Sequence, residues 1–231
     1  MAEPRQIRQS TFTPPPGALD LLLVRHGESA PAIDGQLFDL VDGQGDPPLH
    51  PDGRVQAEKV ADRLEHEPLD AIYVSTMRRT AETAAPLVAR TGLQPVVRAD
   101  LREVHLGEWE GGLLRQKMAD GDPLGLRMQA EERWDVIPGA EPADAFAARV
   151  RGAVAELAKA HPGQRVAVFT HGAWIGQLLA LATGSRPMAF LGADNASISQ
   201  VIVVGERLVL RRFNDTSHLT EHFTRAAQAP T

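Results

Sequence analysis

Two histidines, each placed where a buried strand ends, carry the chemistry of this sequence. The apolar run Leu19 to Val24 leads straight into Arg25-His26-Gly27-Glu28, and the run Val166 to Phe169 leads into Thr170-His171-Gly172. Each histidine is followed by glycine, which lets another backbone or a ligand come close. One such histidine alone is equally well explained by local backbone hydrogen bonds. Two in one protein, one of them preceded by arginine, point to a shared site. Imidazole is a common metal ligand, but a guanidinium beside a dication costs electrostatic energy, and neither a cysteine nor a close carboxylate cluster is at hand. An anion is the better guest. Arginine presents a planar fork that pairs bidentately with phosphate, and a histidine attacks phosphorus or donates to its oxygens.

Two more junctions extend the site. The run Ala71 to Val74 leads into Ser75-Thr76-Met77-Arg78-Arg79-Thr80, where a helix is expected to start at Ser75 or Thr76. Arg78 or Arg79 then lies in a first turn, close to a helix end that itself favours an anion. The run Pro95 to Arg98 leads into a segment that holds Glu103, Glu108 and Glu110. A reaction at phosphorus that expels an alkoxide needs a proton donor, and a carboxyl group beside a desolvated pocket is suited to that task. Glu103 is nearest the strand end and is the first candidate. Glu108 and Glu110 read as structural or solvated.

These residues need a frame that brings strand ends together. Helical patterns separate the strand-like runs. One spans Asp52 to about His66 with Val55, Val60, Ala61 and Leu64 on one face, and a second runs from Met77 to Arg90 and stops at Gly92. A third starts at Pro142 and spaces Phe146, Val150, Val154 and Leu157 helically until Pro162 and Gly163, and a fourth runs from beside Gly172 to Gly184. The alternation predicts an α/β protein: a three-layer, doubly wound, mostly parallel sheet covered on both faces, which binds ligands beyond the carboxyl ends of its strands. Only Gly205 and Glu206 separate the runs Ser197 to Val204 and Leu208 to Phe213, so these form a hairpin and put at least one antiparallel strand in the sheet. Residues 104–141 suit a cap over the pocket.

The chain has 231 residues, 43% of them apolar, which suits one domain, expected over residues 19–223 with a flexible proline-rich tail at 1–18 and a second tail at 224–231. Thirty acidic against twenty-four basic residues leave a charge of −6, with no electrostatic footprint for nucleic acid or an anionic membrane. The absence of cysteine excludes disulfides, thiolate metal sites and a cysteine nucleophile. No apolar run approaches the ~18–20 residues of a membrane span, and the N-terminus lacks the apolar core of a secretory signal, so a cytoplasmic location is expected.

With these segments assembled, the chain resembles the histidine phosphatase superfamily, in the branch that includes cofactor-dependent phosphoglycerate mutases and many small phosphatases. The resemblance extends from about Leu21 to Leu219. Leu-Val-Arg25-His26-Gly27-Glu28-Ser29 resembles the family's signature, whose histidine becomes phosphorylated. Asp46-Pro47-Pro48-Leu49 with Gly53 and Gln56-Ala57 resembles its approach to the first helix, and Thr83-Ala84 sets a register that selects Arg79 over Arg78. Glu103 matches the proton donor, and Phe169-Thr170-His171-Gly172 matches the second histidine. The resemblance implies that neutral His26 attacks phosphorus while Arg25, Arg79 and a protonated His171 hold the oxygens, with Ser29 and Gly172 as further substrate contacts. Glu103 then protonates the leaving oxygen and later activates water. It implies no metal and no cofactor, and a small phosphorylated metabolite as substrate.

Three departures from the family pattern stand out. Ala32 replaces a frequent asparagine, Pro142 stands where serine is common, and the loop from Ser29 to Leu49 carries Asp34, Asp39, Asp42 and Asp46 without a basic residue. That loop reads as solvated, or as a rim that repels polyanions. Two alternatives remain beside the phosphatase: a mutase, which returns the phosphoryl group to the substrate and for which the stretch between Glu103 and His171 is short, and a non-catalytic module that binds phosphorylated ligands. A metal site at His218 and His222 is a third idea, with His218 reading better as structural. Arg102, Arg115, Lys117, Arg127, Arg133 and Trp109 are available to line the cap, none assigned to a ligand, and the final hairpin leaves an edge for a possible homodimer.

Overall fold

A computed structural model describes residues 8–220. The expected tail at 224–231 and His222 lie outside the described residues, as do residues 1–7 of the expected N-terminal tail. Residues 9–15 form neither helix nor strand, and the Arg211 guanidinium lies 3.8 Å from the centroid of the Phe12 ring.

Six strands form one sheet. They are β1 (Leu19–Arg25), β4 (Ala71–Ser75), β5 (Pro95–Arg98), β6 (Arg165–Thr170), β7 (Ile198–Val204) and β8 (Arg207–Asp215), in the order β5-β4-β6-β1-β7-β8. The first four in that order run parallel, and β7 is antiparallel to both β1 and β8. The sheet is thus mostly parallel and closes on the expected hairpin.

Alternation along β1 explains why the sheet needs cover on both faces. Leu19, Leu21 and Leu23 pack with Val166 and Val168 against Phe146, Val150, Trp174 and Leu178. Those four belong to α5 (Ala143–Ala160) and α6 (Gly172–Thr183). Leu22 and Val24 face the other way with Ala167 and Phe169, against Val60, Leu64, Ala84 and Leu87 of α1 (Pro51–Leu64) and α2 (Arg78–Thr91). Each fully buried side chain of this size contributes about 1.5–3 kcal/mol relative to exposure.

Two helix details differ from expectation. The buried stripe of α1 is Gly53, Ala57, Val60, Ala61 and Leu64, whereas Val55 is 56% exposed. Val55 lies two residues, or about 200°, from Ala57 at 3.6 residues per turn, and so falls on the opposite face. Helix α2 starts at Arg78 rather than Ser75 or Thr76, because Ser75 finishes β4 and its Oγ accepts from the Met77 backbone N–H at 3.1 Å. That bond makes a turn between strand and helix.

Residues 104–141 cover the carboxyl ends of the parallel strands. They hold α3 (Leu113–Ala119), α4 (Pro123–Glu131) and two short 3₁₀ turns around a small apolar cluster of Trp109, Met128 and Ile137. Opposite them a two-stranded ribbon, β2 (Leu40–Val41) and β3 (Gln44–Gly45), turns at Asp42 and Gly43, both with positive φ. Among the described residues no helix is long and apolar enough to cross a membrane.

Candidate active site

The parallel strands deliver their terminal residues to one rim. His26 follows β1, and its backbone N–H donates to the Thr170 carbonyl at 3.0 Å, which locks the ends of β1 and β6 together. His26 Nδ1 lies 2.7 Å from the Gly27 carbonyl. A carbonyl only accepts, so Nδ1 carries the proton and Nε2 keeps its lone pair. His171 follows β6, with its ring centroid 5.2 Å from that of His26. His26 lines the cleft at this rim, whereas His171 is fully buried and is not among the residues that line it.

A loop before β7 clasps the signature from behind. The Ser197 carbonyl accepts from the Arg25 N–H at 3.1 Å, the Ala193 carbonyl accepts from the Arg25 guanidinium, and Asn195 Nδ2 donates to the His26 carbonyl at 3.1 Å. The Ala196 N–H is shared between the carbonyls of Arg25 and His26, at 3.1 and 3.2 Å. His218 Nε2 lies 3.0 Å from the Ala196 carbonyl, which supports its structural reading. From the other side, Gly27 meets Gly53 of α1 so closely that a Cβ on Gly27 would lie 2.6 Å from the Gly53 carbonyl oxygen.

Arg79 is the arginine of the second junction that enters the site. It is buried and donates to the Gly45 carbonyl at 2.9 Å, whereas Arg78 is exposed and pairs with Glu82 at 3.1 Å. Burial lowers the pKa of Arg79 to about 10, opposed by Glu103 and Asp46, and burial also lowers that of Arg25. Both histidines are held well below the ordinary imidazole value of 6.5, first by burial and then by the Arg79 and Arg25 charges. His26 is therefore neutral, as attack requires. His171 is likewise held towards the neutral form: it is fully buried near two guanidinium groups, with no carboxylate partner among the described residues. Its Nε2 lies 2.9 Å from Ser75 Oγ, and its Nδ1 is buried without a partner.

Glu103 closes the site from the cap side. Its Oε1 accepts from the N–H groups of Val104 at 3.0 Å and Trp174 at 3.1 Å, and its Oε2 accepts from that of Ala173 at 3.1 Å. Gln44 Nε2 donates to the Glu103 carbonyl at 2.9 Å and ties the β2–β3 ribbon to the donor segment. A cleft of about 170 Å³ lies between this rim and the cap, with Arg25, His26, Arg79 and Glu103 on its walls.

The remaining sequence candidates divide. Gly172 lies beside Arg25, where a Cβ would stand 3.3 Å from the arginine Nε, and Ser29 is buried and accepts from Arg115 at 2.7 Å. Both therefore lie beside arginines that line the cleft. Glu110 accepts from the Gly45 and Leu106 N–H groups at 2.9 Å each, a structural role, and Glu108 is exposed. Asp42 pairs with Arg102, and Asp46 accepts from the Arg78 N–H at 2.9 Å, so half of the acidic loop is engaged rather than solvated. Of the cap candidates, Arg115 and Trp109 line the cleft, while Lys117, Arg127 and Arg133 pair with Asp122, Glu131 and Asp135. Gln44 is a site neighbour that the sequence does not reveal, since nothing there distinguishes it from any other loop glutamine. Glu28, His50 and Asp52 bring potential metal-ligating atoms within 4.8 Å of one another. They stand at the start of α1, outside the cleft, where the helix dipole opposes a cation.

A family model for the histidine phosphatase superfamily (branch 1) matches residues 21–216. Phosphoserine phosphatase 1 of Hydrogenobacter thermophilus is 32% identical over 212 residues, which cover 90% of this chain and 98% of that protein. The glucosyl-3-phosphoglycerate phosphatase of Mycobacterium tuberculosis is 36% identical over 197 residues, covering 78% of this chain and 84% of that one. Among solved structures, the native mycobacterial glucosyl-3-phosphoglycerate phosphatase is similar with a TM-score of 0.72 at 30% identity, covering 86% of this chain and 100% of that one.

Proposed function

The chain belongs to branch 1 of the histidine phosphatase superfamily, and from that membership we propose a phosphatase that hydrolyses monoesters of small metabolites through a phosphohistidine on His26. One observation carries the assignment: the Nδ1–H of His26 is spent on the Gly27 carbonyl, so the neutral ring keeps its Nε2 lone pair in a cleft walled by the guanidinium groups of Arg25 and Arg79. Nε2 attacks phosphorus in line, the P–N bond forms, and the bond from phosphorus to the ester oxygen breaks. Arg25 and Arg79 hold the non-bridging oxygens and compensate their charge. Glu103 gives its proton to the departing alkoxide. The resulting carboxylate then takes a proton from water, whose oxygen attacks phosphorus as the P–N bond breaks, and both His26 and Glu103 return to their starting states.

His171 supports the reading from beneath. Its neutral ring packs against that of His26, and a dianion held by Arg25 and Arg79 would offset the charges that now oppose its protonation. The relatives named for phosphoserine and glucosyl-3-phosphoglycerate guide the first substrates: phosphorylated amino acids, hydroxy acids and sugars.

Labelling tests the mechanism. Incubation with a radiolabelled phosphomonoester followed by rapid denaturation should leave label on the wild-type protein and none on His26→Ala, which should also release no phosphate. Label retained on His26→Ala would overturn the assignment. Phosphate released to water, measured against phosphoryl returned to the substrate, separates this activity from a mutase.

A further inference from the structure

Both ends of Glu103 are fixed. Its carboxylate accepts from the backbone N–H groups of Val104, Ala173 and Trp174. Its carbonyl accepts from two side chains that arrive from different elements, Gln44 Nε2 of the β2–β3 ribbon at 2.9 Å and Arg149 Nη2 of α5 at 3.1 Å. Arg149 is anchored by its pair with Glu141 at 2.7 Å and also donates to the Arg102 carbonyl at 2.8 Å. Gln44 is the member of the two that lines the cleft.

The Gln44 amide has one orientation. Its Nε2 faces the carbonyls of Glu103 at 2.9 Å and Val104 at 3.4 Å, so a flipped amide would set oxygen against oxygen. The residue is 6% exposed, and its neighbour in β3 is tied to the phosphoryl side of the site. The Gly45 carbonyl accepts from Arg79 at 2.9 Å, and the Gly45 N–H donates to Glu110 at 2.9 Å. Asp42, in the turn of the same ribbon, pairs with Arg102, the residue before Glu103. Adjacent residues of one short strand thus bond the arginine that would hold the phosphoryl group and the segment that bears the proton donor. General acid transfer needs the carboxyl within hydrogen-bond reach of the leaving oxygen, and a misplacement of about 1 Å costs about 10²-fold.

We propose that Gln44 is a positioning residue for the proton donor: through the Glu103 carbonyl it sets the carboxyl against the phosphoryl group held by Arg79. This rests on the phosphatase reading above and deepens it. Ethyl phosphate and p-nitrophenyl phosphate provide the test, because ethoxide needs a proton to leave and p-nitrophenolate does not. The ethyl group also offers Gln44 no polar contact. Gln44→Leu nearly keeps the volume and removes both hydrogen bonds. Per folded protein, measured by urea unfolding, it should lower kcat/KM about tenfold or more for ethyl phosphate and less than about threefold for p-nitrophenyl phosphate. Gln44→Glu, which turns an oxygen towards the two carbonyls, should show the same split. In a Glu103→Gln background, Gln44→Leu should change kcat/KM for ethyl phosphate by less than about twofold, since the group it acts through is already disabled. A comparable loss on both esters, no loss on either, or an undiminished loss in the Glu103→Gln background would overturn the proposal. Glu103→Gln alone keeps the two readings apart. If it separates the esters and the Gln44 variants do not, the proposal alone falls; if it does not separate them, the donor role of Glu103 falls and the proposal with it.

Discussion

Glu103 and Trp174 are joined across the site: Oε1 of the carboxylate accepts from the Trp174 backbone N–H at 3.1 Å, in the first turn of α6. The same helix begins directly after His171, and the Ala173 N–H holds the second carboxylate oxygen at 3.1 Å. The proton donor and the second histidine are thus set in register by one helix start, where backbone N–H groups point outward for want of partners. Glu103→Gln keeps the size of the side chain and removes the transferable proton. We expect it to lower kcat/KM, which reports phosphohistidine formation and not the later attack of water, about 10²–10³-fold for an alkyl phosphate, within the usual range for general acid catalysis. The loss should be much smaller for p-nitrophenyl phosphate, whose phenolate leaves without help. An equal loss on both would remove Glu103 from the donor role.

Buried neutral histidines make stability depend on pH. The folded-state pKa values of His26 and His171 lie well below 6.5 and that of His218 is also lowered, mainly through burial. Above the unfolded value neither state binds the proton and nothing is gained or lost. Below it the unfolded chain takes protons that the fold refuses, so stability falls as pH drops towards the lowered folded values. Each such histidine contributes a slope of up to about 1.4 kcal/mol per pH unit. Urea unfolding between about pH 7 and about pH 5, above most carboxylate titration, should show midpoints falling with acidity. His171→Asn should flatten that slope. An unchanged slope would mean that burial of His171 does not govern it.

How much of this is legible in the sequence depends on which physical effect decides each residue. His26 and His171 are readable because a doubly buried strand that ends in His-Gly leaves a local mark of several consecutive residues. Val55 misleads because a valine near a helical stripe looks apolar whichever way it points, and only packing against the sheet selects Ala57 and Leu64 instead. The β2–β3 ribbon carries a local signal, Asp42-Gly43, which suits a turn with two positive φ values. The flanking strands are only two residues each, too short for alternation to show, so the acidic charges dominate the pattern of that loop. The neutrality of His171 has no local signature. It follows first from burial and then from the distant charges of Arg79 and Arg25, both properties of the assembled rim.

Gly53 permits the fold to close over the signature. A Cβ there would overlap the Glu28 carbonyl oxygen, which belongs to rigid backbone. Gly53→Ala should therefore destabilise the protein by at least about 1–3 kcal/mol, the ordinary cost of overpacking, and lower activity with it, since Glu28 lies two residues from His26. At Gly152, in the middle of α5, an added Cβ would meet nothing within 4 Å. Gly152→Ala should stabilise by about 0.5–1 kcal/mol. Thermal or urea unfolding of the pair compares close approach with helix propensity, and a neutral Gly53→Ala would contradict the tight junction between the signature and α1.

The loop Ala193 to Ser197 separates positioning from stability. Ala196 adopts φ +60°, a left-handed conformation that costs a non-glycine residue roughly 1–2 kcal/mol. Its N–H is thereby directed at the carbonyls of Arg25 and His26. Asn195 adds the bond from Nδ2 to the His26 carbonyl. That carbonyl belongs to the peptide that anchors the nucleophile, so Asn195→Ala should loosen the direction of Nε2 without touching Arg25 or Arg79. We expect phosphohistidine formation to slow about tenfold or more, as misplacement of a reacting group does. Affinity for inorganic phosphate, which depends on the two arginines, should stay within about twofold, and unfolding free energy should fall by only about 1 kcal/mol, the worth of one hydrogen bond. A purely structural asparagine would instead lower stability and leave the labelling rate of the folded fraction unchanged, and rapid-quench labelling beside urea unfolding distinguishes the two.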